Sequence, residues 1–132
     1  MVPAAKRSLE LKQVREFLDS KQLAEKIARL TLEKKAEDVV ILNLKSLTTV
    51  TDYFVICSGL SNTQVKAISD HVSVELKKAK QKPHHIEISP NQEWVLLDFI
   101  DVILHIFQPQ KRDFYGLERL WGDAEIEEVV DS

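Results

Sequence analysis

Apolar residues recur at helical spacing in two stretches of the first eighty residues. The first stretch, residues 9–33, divides into two predicted helical pieces, with Ser20 as a cap between them. Its apolar stripe consists of Leu11, Val14, Leu18, Leu23, Ile27 and Leu30. The second stretch follows Gly59, and Ser61 or Asn62 can cap its start. Its buried face is predicted to contain Val65, Ile68, Val72 and Leu76.

Strand patterns account for most of the remaining chain. "DVVILNL", which begins at Asp38, and "YFVICSG" are β-branched and aromatic runs typical of buried strands. "HHIEI" alternates as a third strand, and "EWVLLDF" and "DVILHIF" predict a hairpin about Ile100 and Asp101. A last helix is predicted from Arg112 to Trp121, although Gly116 lowers its helix propensity by about 1 kcal/mol relative to Ala.

The resulting order, α-β-β-α-β-β-β-α, predicts an α/β (α+β) fold with a five-stranded mixed sheet flanked by helices. The helix between the second and third strands allows one parallel crossover, and the last three strands form a meander. We divide the chain into a helical extension (1–20), one α/β domain (21–123) and an acidic tail (124–132). In the two hairpin strands, the residues that point to either face of the sheet are mostly apolar. Both sheet faces are therefore expected to be covered at least in part.

The composition and net charge of the chain limit the classes of protein to which it can belong. The chain of 132 residues is 44% hydrophobic and 30% charged, as in soluble globular proteins. A net charge of −3 argues against broad or sequence-specific nucleic-acid binding. The single cysteine, Cys57, excludes a disulfide framework and is expected in the core. Without an apolar run of signal-peptide or membrane length, we expect a cytoplasmic location and no membrane partner.

Catalytic motifs are weak. Asp98, Asp101 and His105 combine carboxylate and imidazole ligands, but their spacing matches no strong metal motif, and a partly buried, hydrogen-bonded His105 is the expected alternative. His84 and His85 are strand neighbours that point to opposite faces, so they are poor partners for one ion.

The turn "SGLSNTQ" precedes a helix, whose N-terminus can bind phosphate. It lacks both the Walker pattern and G-x-G-x-x-G, and no Asp-x-Asp pair accompanies it. A nucleotidyltransferase-like nucleotide-binding enzyme that uses Asp98 or Asp101 stays open as the alternative. The preferred hypothesis has no enzymatic activity, no cofactor and no metal.

Aromatic residues near the end of the chain suggest a binding surface. Trp94 begins a strand, and Tyr115 and Trp121 lie about 240° apart on the predicted helix, so they cannot face one core. Arg112, Glu118 and Arg119 accompany them. Tryptophan fills cores and also dominates interface hot spots, so both roles stay open for each.

Three motifs in sequence order resemble the ribosomal silencing factor family, also named Iojap. They are "TDYFVICSGLSNTQVKAISDHV", "WVLLDFIDVILHIF" and "RDFYGLERLWGD", and the resemblance spans residues 38–123. The positions that match the family pattern are Asp52, Tyr53, Phe54, Val55, Ser58, Gly59, Ser61, Trp94, Leu96, Leu97, Asp98, His105, Ile106, Phe107, Arg112, Tyr115, Leu117, Glu118, Leu120 and Trp121. The chain departs from the pattern in "EISPNQEW", which lacks the glycine often found before the tryptophan.

The resemblance implies a sheet related to nucleotidyltransferases but without their catalytic carboxylates. It also implies binding to the large ribosomal subunit through ribosomal protein fourteen of that subunit. There the protein would block joining of the small subunit and repress translation under nutrient limitation, while organelle relatives suggest large-subunit assembly as an alternative. The implied partner-binding residues are Trp94, Leu96, Asp98, Tyr115 and Glu118. A homodimer is also compatible, with Tyr53 and Phe54 as candidate dimer or surface contacts.

Overall fold

The computed structural model describes residues 18–131, so the predicted extension lies almost entirely outside the described residues. Its helices and strands are α1 (Ser20–Glu33), β1 (Glu37–Asn43), β2 (Tyr53–Ser58), α2 (Asn62–Lys78), β3 (His85–Ile88), β4 (Trp94–Asp98), β5 (Val102–Phe107), α3 (Pro109–Tyr115), α4 (Leu117–Leu120) and β6 (Glu125–Val129), with a short 3₁₀ turn at Pro90–Gln92. Among these elements no helix is long and apolar enough to cross a membrane.

The strands form one mixed sheet in the order β3-β4-β5-β2-β1-β6. β2 and β5 run parallel, whereas the other neighbours run antiparallel. The predicted fold class, the meander and the hairpin are therefore confirmed. The predicted strand count was wrong, because the segment assigned to an acidic tail supplies a sixth strand: β6 pairs with β1. Ile126 lies opposite Leu42 in that pair, and Val129 packs against the larger core.

Helices α1 and α2 cover one face of the sheet and enclose the larger core. The side chains of Ile27 on α1, Ile68 on α2 and Leu104 on β5 are fully buried there. The cap of α1 is Asp19 rather than the predicted Ser20, because the Asp19 side chain accepts a hydrogen bond from the Gln22 backbone in a reciprocal capping box. Ser61 caps α2 as expected.

The opposite face carries a smaller core that is covered only in part. Its fully or nearly buried members are Val40, Leu42, Leu44, Ile56 and Phe107. Leu117 and Trp121, from α4 and the turn after it, pack against this cluster from outside the sheet. Because α3 and α4 are short, they cover only one part of this face, and Trp94, Leu96 and Phe54 remain partly exposed.

A single helix from Arg112 to Trp121 was predicted, but two helices are observed. Gly116 lies between them with φ of 57°, a left-handed conformation that ends α3 at Tyr115. A side chain at this position would also collide with the guanidinium of Arg119. The break reorients the chain, so that Tyr115 and Trp121 reach different parts of the same sheet face.

Candidate functional site

Six rings meet on the partly covered face. The Trp94 indole stacks on Phe107 with centroids 5.4 Å apart, and both rings lie nearly parallel to the imidazole of His105. Tyr115 lies 4.9 Å from Trp94, and Phe54 meets His105 edge-to-face at 4.6 Å. Trp121 completes the set through an edge-to-face contact with Phe54. We call these six residues the aromatic cluster. β-Strand alternation brings the four strand residues together, because β2, β4 and β5 each direct alternate residues to this face, and α3 and the end of α4 add Tyr115 and Trp121.

His105 is the buried polar group of this cluster. Its Nδ1 atom accepts a hydrogen bond of 3.2 Å from Trp94 Nε1, and its side chain is only 4% exposed. Burial lowers the pKa of His105 to about 3, since an imidazolium there would lose its hydration. The residue is therefore neutral near pH 7. The expectation of a hydrogen-bonded histidine is confirmed, with deeper burial than predicted.

A surface pocket of about 470 Å³ opens beside Trp94. Tyr115 lines its side and remains 45% exposed, while the other walls come from Glu87, Ile88 and Ser89. The Trp94 backbone N–H donates to Ser89 Oγ at 2.8 Å, which holds the strand start against the preceding turn. Trp94 is itself partly exposed, so it combines the core-filler and surface roles that the sequence left open.

Leu96 and Asp98 continue the exposed line along β4. Both side chains are partly exposed, and both occupy the same face as Trp94, whereas Val95 and Leu97 are buried on the other. Asp98 Oδ1 accepts a hydrogen bond from the Ile100 backbone at 2.7 Å. Sequence alternation thus correctly placed Trp94, Leu96 and Asp98 on one surface. We define these residues together with Tyr115 as the docking strip.

Glu118 has an internal partner. Its Oε1 atom accepts a hydrogen bond of 2.8 Å from Arg112 Nε, and Arg112 Nη1 donates to Ser58 Oγ at 2.9 Å. The Arg112 side chain is 13% exposed and the Glu118 side chain 36%. This arrangement ties α3 and α4 to the end of β2. The predicted partner-binding role of Glu118 remains a prediction, but its carboxylate is already engaged, and we leave it out of the docking strip.

The two residues suggested as dimer or surface contacts differ in position. Tyr53 is 6% exposed and belongs to the larger core, so it has little surface to offer another subunit. Phe54 is partly exposed and packs within the aromatic cluster. Strand alternation explains the difference, because adjacent residues of β2 point to opposite faces.

Two of the alternative catalytic residues have structural partners. Asp98 accepts a hydrogen bond within the β4–β5 turn and His105 accepts one from Trp94, whereas Asp101 is exposed. No cluster of three potential metal ligands occurs within residues 18–131. In the "SGLSNTQ" turn, Ser58 accepts a hydrogen bond from Arg112 and Ser61 caps α2. Cys57 is fully buried, as expected, and burial raises its pKa to about 12, so its thiol is not activated.

Sequence reasoning missed two contacts that organise the site. The Trp94–His105 hydrogen bond joins residues eleven positions apart, and the Arg112–Ser58 bond joins residues fifty-four apart. The predicted hairpin carried a signal for the first, since it placed Trp94 and His105 on neighbouring strands. Nothing in the sequence indicated the second.

Comparison with known proteins places this architecture in a family. The family model described as "Ribosomal silencing factor during starvation" matches residues 18–132. A protein named ribosomal silencing factor RsfS from Halalkalibacterium halodurans is 43% identical over 105 residues, covering 74% of this chain and 86% of that protein.

Two further relatives extend the comparison. A mouse protein named mitochondrial assembly of ribosomal large subunit protein 1 is 30% identical over 72% of this chain, which spans 43% of that longer protein. A crystal structure of a Chromobacterium violaceum protein superimposes with a TM-score of 0.77 at 31% identity, covering 86% of this chain and 95% of that one. The family match, the sequence identity and the shared architecture agree: this chain belongs to the ribosomal silencing factor family.

Proposed function

We propose that the protein binds the large ribosomal subunit through ribosomal protein fourteen of that subunit and sterically blocks joining of the small subunit. Translation would then be repressed under nutrient limitation, in the cytoplasm. The observation that carries the proposal is the docking strip, a partly exposed line of Trp94, Leu96 and Asp98 that ends beside Tyr115 and an open pocket. Blocking requires only that the bound domain occupy space that the small subunit needs.

The shape of the docking strip suits a protein partner. Trp94 and Tyr115 provide large apolar surfaces beside a pocket of about 470 Å³, an arrangement typical of interface hot spots. Phe107, the cross-strand neighbour of Trp94, packs against the indole and is only 1% exposed. A supported aromatic anchor loses little conformational freedom on binding, so more of the contact energy contributes to affinity.

The negative charge of the protein also favours a ribosomal protein as the partner. The chain carries a net charge of −3, Asp98 belongs to the docking strip, and Glu87 lines the adjoining pocket. Ribosomal proteins are commonly basic, and complementary charge increases the rate of encounter. An acidic surface also disfavours direct contact with the ribosomal RNA backbone.

Co-sedimentation with purified large subunits tests the proposal. Leu96→Glu places a charge in the docking strip without removing the Trp94–His105 hydrogen bond, and we expect at least a tenfold loss of affinity, or about 1.4 kcal/mol. Val74→Glu is the matched control, because Val74 is 54% exposed on α2, which covers the opposite face. Far-UV circular dichroism verifies that both variants fold.

Binding of the protein to the large subunit and joining of the two ribosomal subunits must be measured separately. We expect wild type and Val74→Glu to reduce the fraction of joined ribosomes in a sucrose gradient, and Leu96→Glu to fail. Equal binding by all three proteins would show that the docking strip is not the interface. Tight binding without reduced joining would contradict the steric mechanism.

Large-subunit assembly is the second candidate function, and the name of the mouse relative favours it. This role would use the same partner at an earlier time. We propose the joining block as primary and distinguish the two by depleting the protein in growing cells. Accumulation of incomplete large subunits would favour assembly, whereas normal large subunits with excess joined ribosomes during starvation would favour silencing.

Non-enzymatic action is part of this proposal. Of the residues that a nucleotidyltransferase-like reaction would use, Ser58, Ser61 and Asp98 each make a hydrogen bond within the fold, and Asp101, the other candidate carboxylate, is exposed. Thermal denaturation with ATP and Mg²⁺ tests the alternative. A metal-dependent rise in Tm would support nucleotide binding, and an unchanged Tm would support a binding protein.

A further inference from the structure

The hydrogen bond between Trp94 and His105 fixes the chemistry of both rings. An indole N–H can only donate, so the His105 Nδ1 atom must be the unprotonated acceptor. In the neutral imidazole the proton then resides on Nε2. This nitrogen is buried and has no hydrogen-bond partner among the described residues.

A histidine at position 105 stabilises the fold less than an apolar side chain would, if the position serves only for packing. A buried polar atom without a partner destabilises the folded state, and an apolar side chain of similar shape avoids that penalty. The neighbours Phe54 and Phe107 would suit an apolar ring at position 105. His105 provides a hydrogen-bond acceptor for the Trp94 indole N–H, and an apolar ring cannot.

His105 also lies beside the docking strip, on the neighbouring strand β5. It is directly opposite Leu96 across the β4–β5 pair, and its ring is nearly parallel to the Trp94 indole, at an interplanar angle of 20°. Trp94 is opposite Phe107 in the same register. The hydrogen bond therefore sets how the indole lies over Phe107 and which of its edges faces the pocket.

We propose that His105 is a positioning residue for docking: its Nδ1 atom holds the Trp94 indole against Phe107, so that a fixed aromatic surface is presented to the partner. The inference rests on the proposed docking strip and adds the device that preorganises it. His105 itself does not touch the partner, because its side chain is 4% exposed. Preorganisation of this kind raises affinity by reducing the entropy lost on binding.

Three substitutions separate positioning from packing. His105→Asn and His105→Leu both remove the ring and have similar size, but only asparagine retains an acceptor near the position of Nδ1. His105→Phe retains a ring and removes both the acceptor and the unpaired Nε2. The Asn and Leu pair therefore isolates the acceptor, and the Phe variant keeps the test valid if loss of the ring destabilises the protein.

The first readout uses the free protein. Trp94 and Trp121 are the two tryptophans of the chain, so an NMR spectrum contains two indole N–H signals, with Trp121 as an internal reference. We expect slow solvent exchange of the Trp94 signal in wild type and His105→Asn, and faster exchange in His105→Leu and His105→Phe. Equal exchange in all four proteins would overturn the proposal.

The second readout is affinity for purified large subunits, with the free energy of unfolding measured in parallel. Loss of one hydrogen bond predicts about three- to tenfold weaker binding by His105→Leu and His105→Phe, and partial rescue by His105→Asn. His105→Phe should bind weakly while remaining as stable as wild type. If affinity follows stability across the variants, His105 is only a packing residue.

The two proposals can fail independently. If Leu96→Glu abolishes docking but His105→Phe binds like wild type, the docking strip stands and the positioning role is overturned. If neither substitution changes affinity, the docking strip is not the interface and His105 has no role in docking.

Discussion

The two faces of the sheet use the same strands but are covered very differently. On one face α1 and α2 enclose a continuous core, in which residues such as Ile27, Val72 and Leu104 have no exposed surface. On the other, two short helices leave Trp94, Leu96 and Phe54 partly exposed. We therefore expect the first face to provide most of the stability, whereas the second retains exposed aromatic surface.

Side-chain hydrogen bonds are a second feature that distinguishes the partly covered face. The hydrogen bonds among side chains that shape the second face are Trp94–His105, Arg112–Glu118 and Arg112–Ser58. Directional bonds fix geometry where packing is incomplete, because each partner constrains the other's orientation. Mutations on the two faces should therefore separate stability from binding.

The largest effect is expected from Leu104→Ala in the enclosed core. Removing a fully buried leucine side chain leaves a cavity, and we expect a loss of about 2–5 kcal/mol in the free energy of unfolding. Urea denaturation measures it, with Leu120→Ala as control, since Leu120 is 71% exposed and its loss should cost less than about 0.5 kcal/mol. Equal losses would show that burial of Leu104 contributes no more stability than an exposed leucine does.

A smaller, pH-dependent effect is expected from His105 on the second face. Its pKa is about 3 in the folded protein against an ordinary value of 6.5. Below pH 6.5 the unfolded chain binds a proton that the folded protein does not, so stability decreases as pH falls toward 3, by about 1.4 kcal/mol per pH unit. Above pH 6.5 this contribution is constant.

Urea denaturation at pH 7 and pH 5 measures that dependence. Wild type should lose about 2 kcal/mol more than His105→Phe between these two values. His85→Gln, which changes an exposed histidine on β3, should retain the full wild-type loss. A wild-type pH dependence in His105→Phe would show that other groups cause it.

The smallest of these effects is expected at Gly116, between the helices that cover the second face. Gly116→Ala forces a side chain into a left-handed conformation and against Arg119, and should cost about 1–2 kcal/mol. Gly116→Asn should cost less, because asparagine tolerates this conformation better. Thermal denaturation ranks the two variants; a more stable alanine variant would mean that α3 and α4 form one helix.

Local sequence patterns predicted the elements whose side chains alternate clearly or run continuously apolar. β1, β2, β4, β5 and α2 were found near their expected positions, and Trp94 and Leu96 share one face as their alternate spacing predicted. β6 was missed because "EIEEV" is rich in glutamate and becomes a strand by pairing with β1, a neighbour more than eighty residues away in sequence.

The sequence by itself determined most of the strands and helices, the apolar stripes that α1 and α2 contribute to the larger core and, through its motifs, the resemblance to the family, because each depends on residues within short segments. Tertiary structure alone decided that Arg112 reaches Ser58, that Tyr53 is buried while Phe54 is partly exposed, and that His105 holds Trp94. These outcomes depend on which strands become neighbours and how far the short helices extend over them. Such contacts join residues distant in the chain, and no local spacing encodes them.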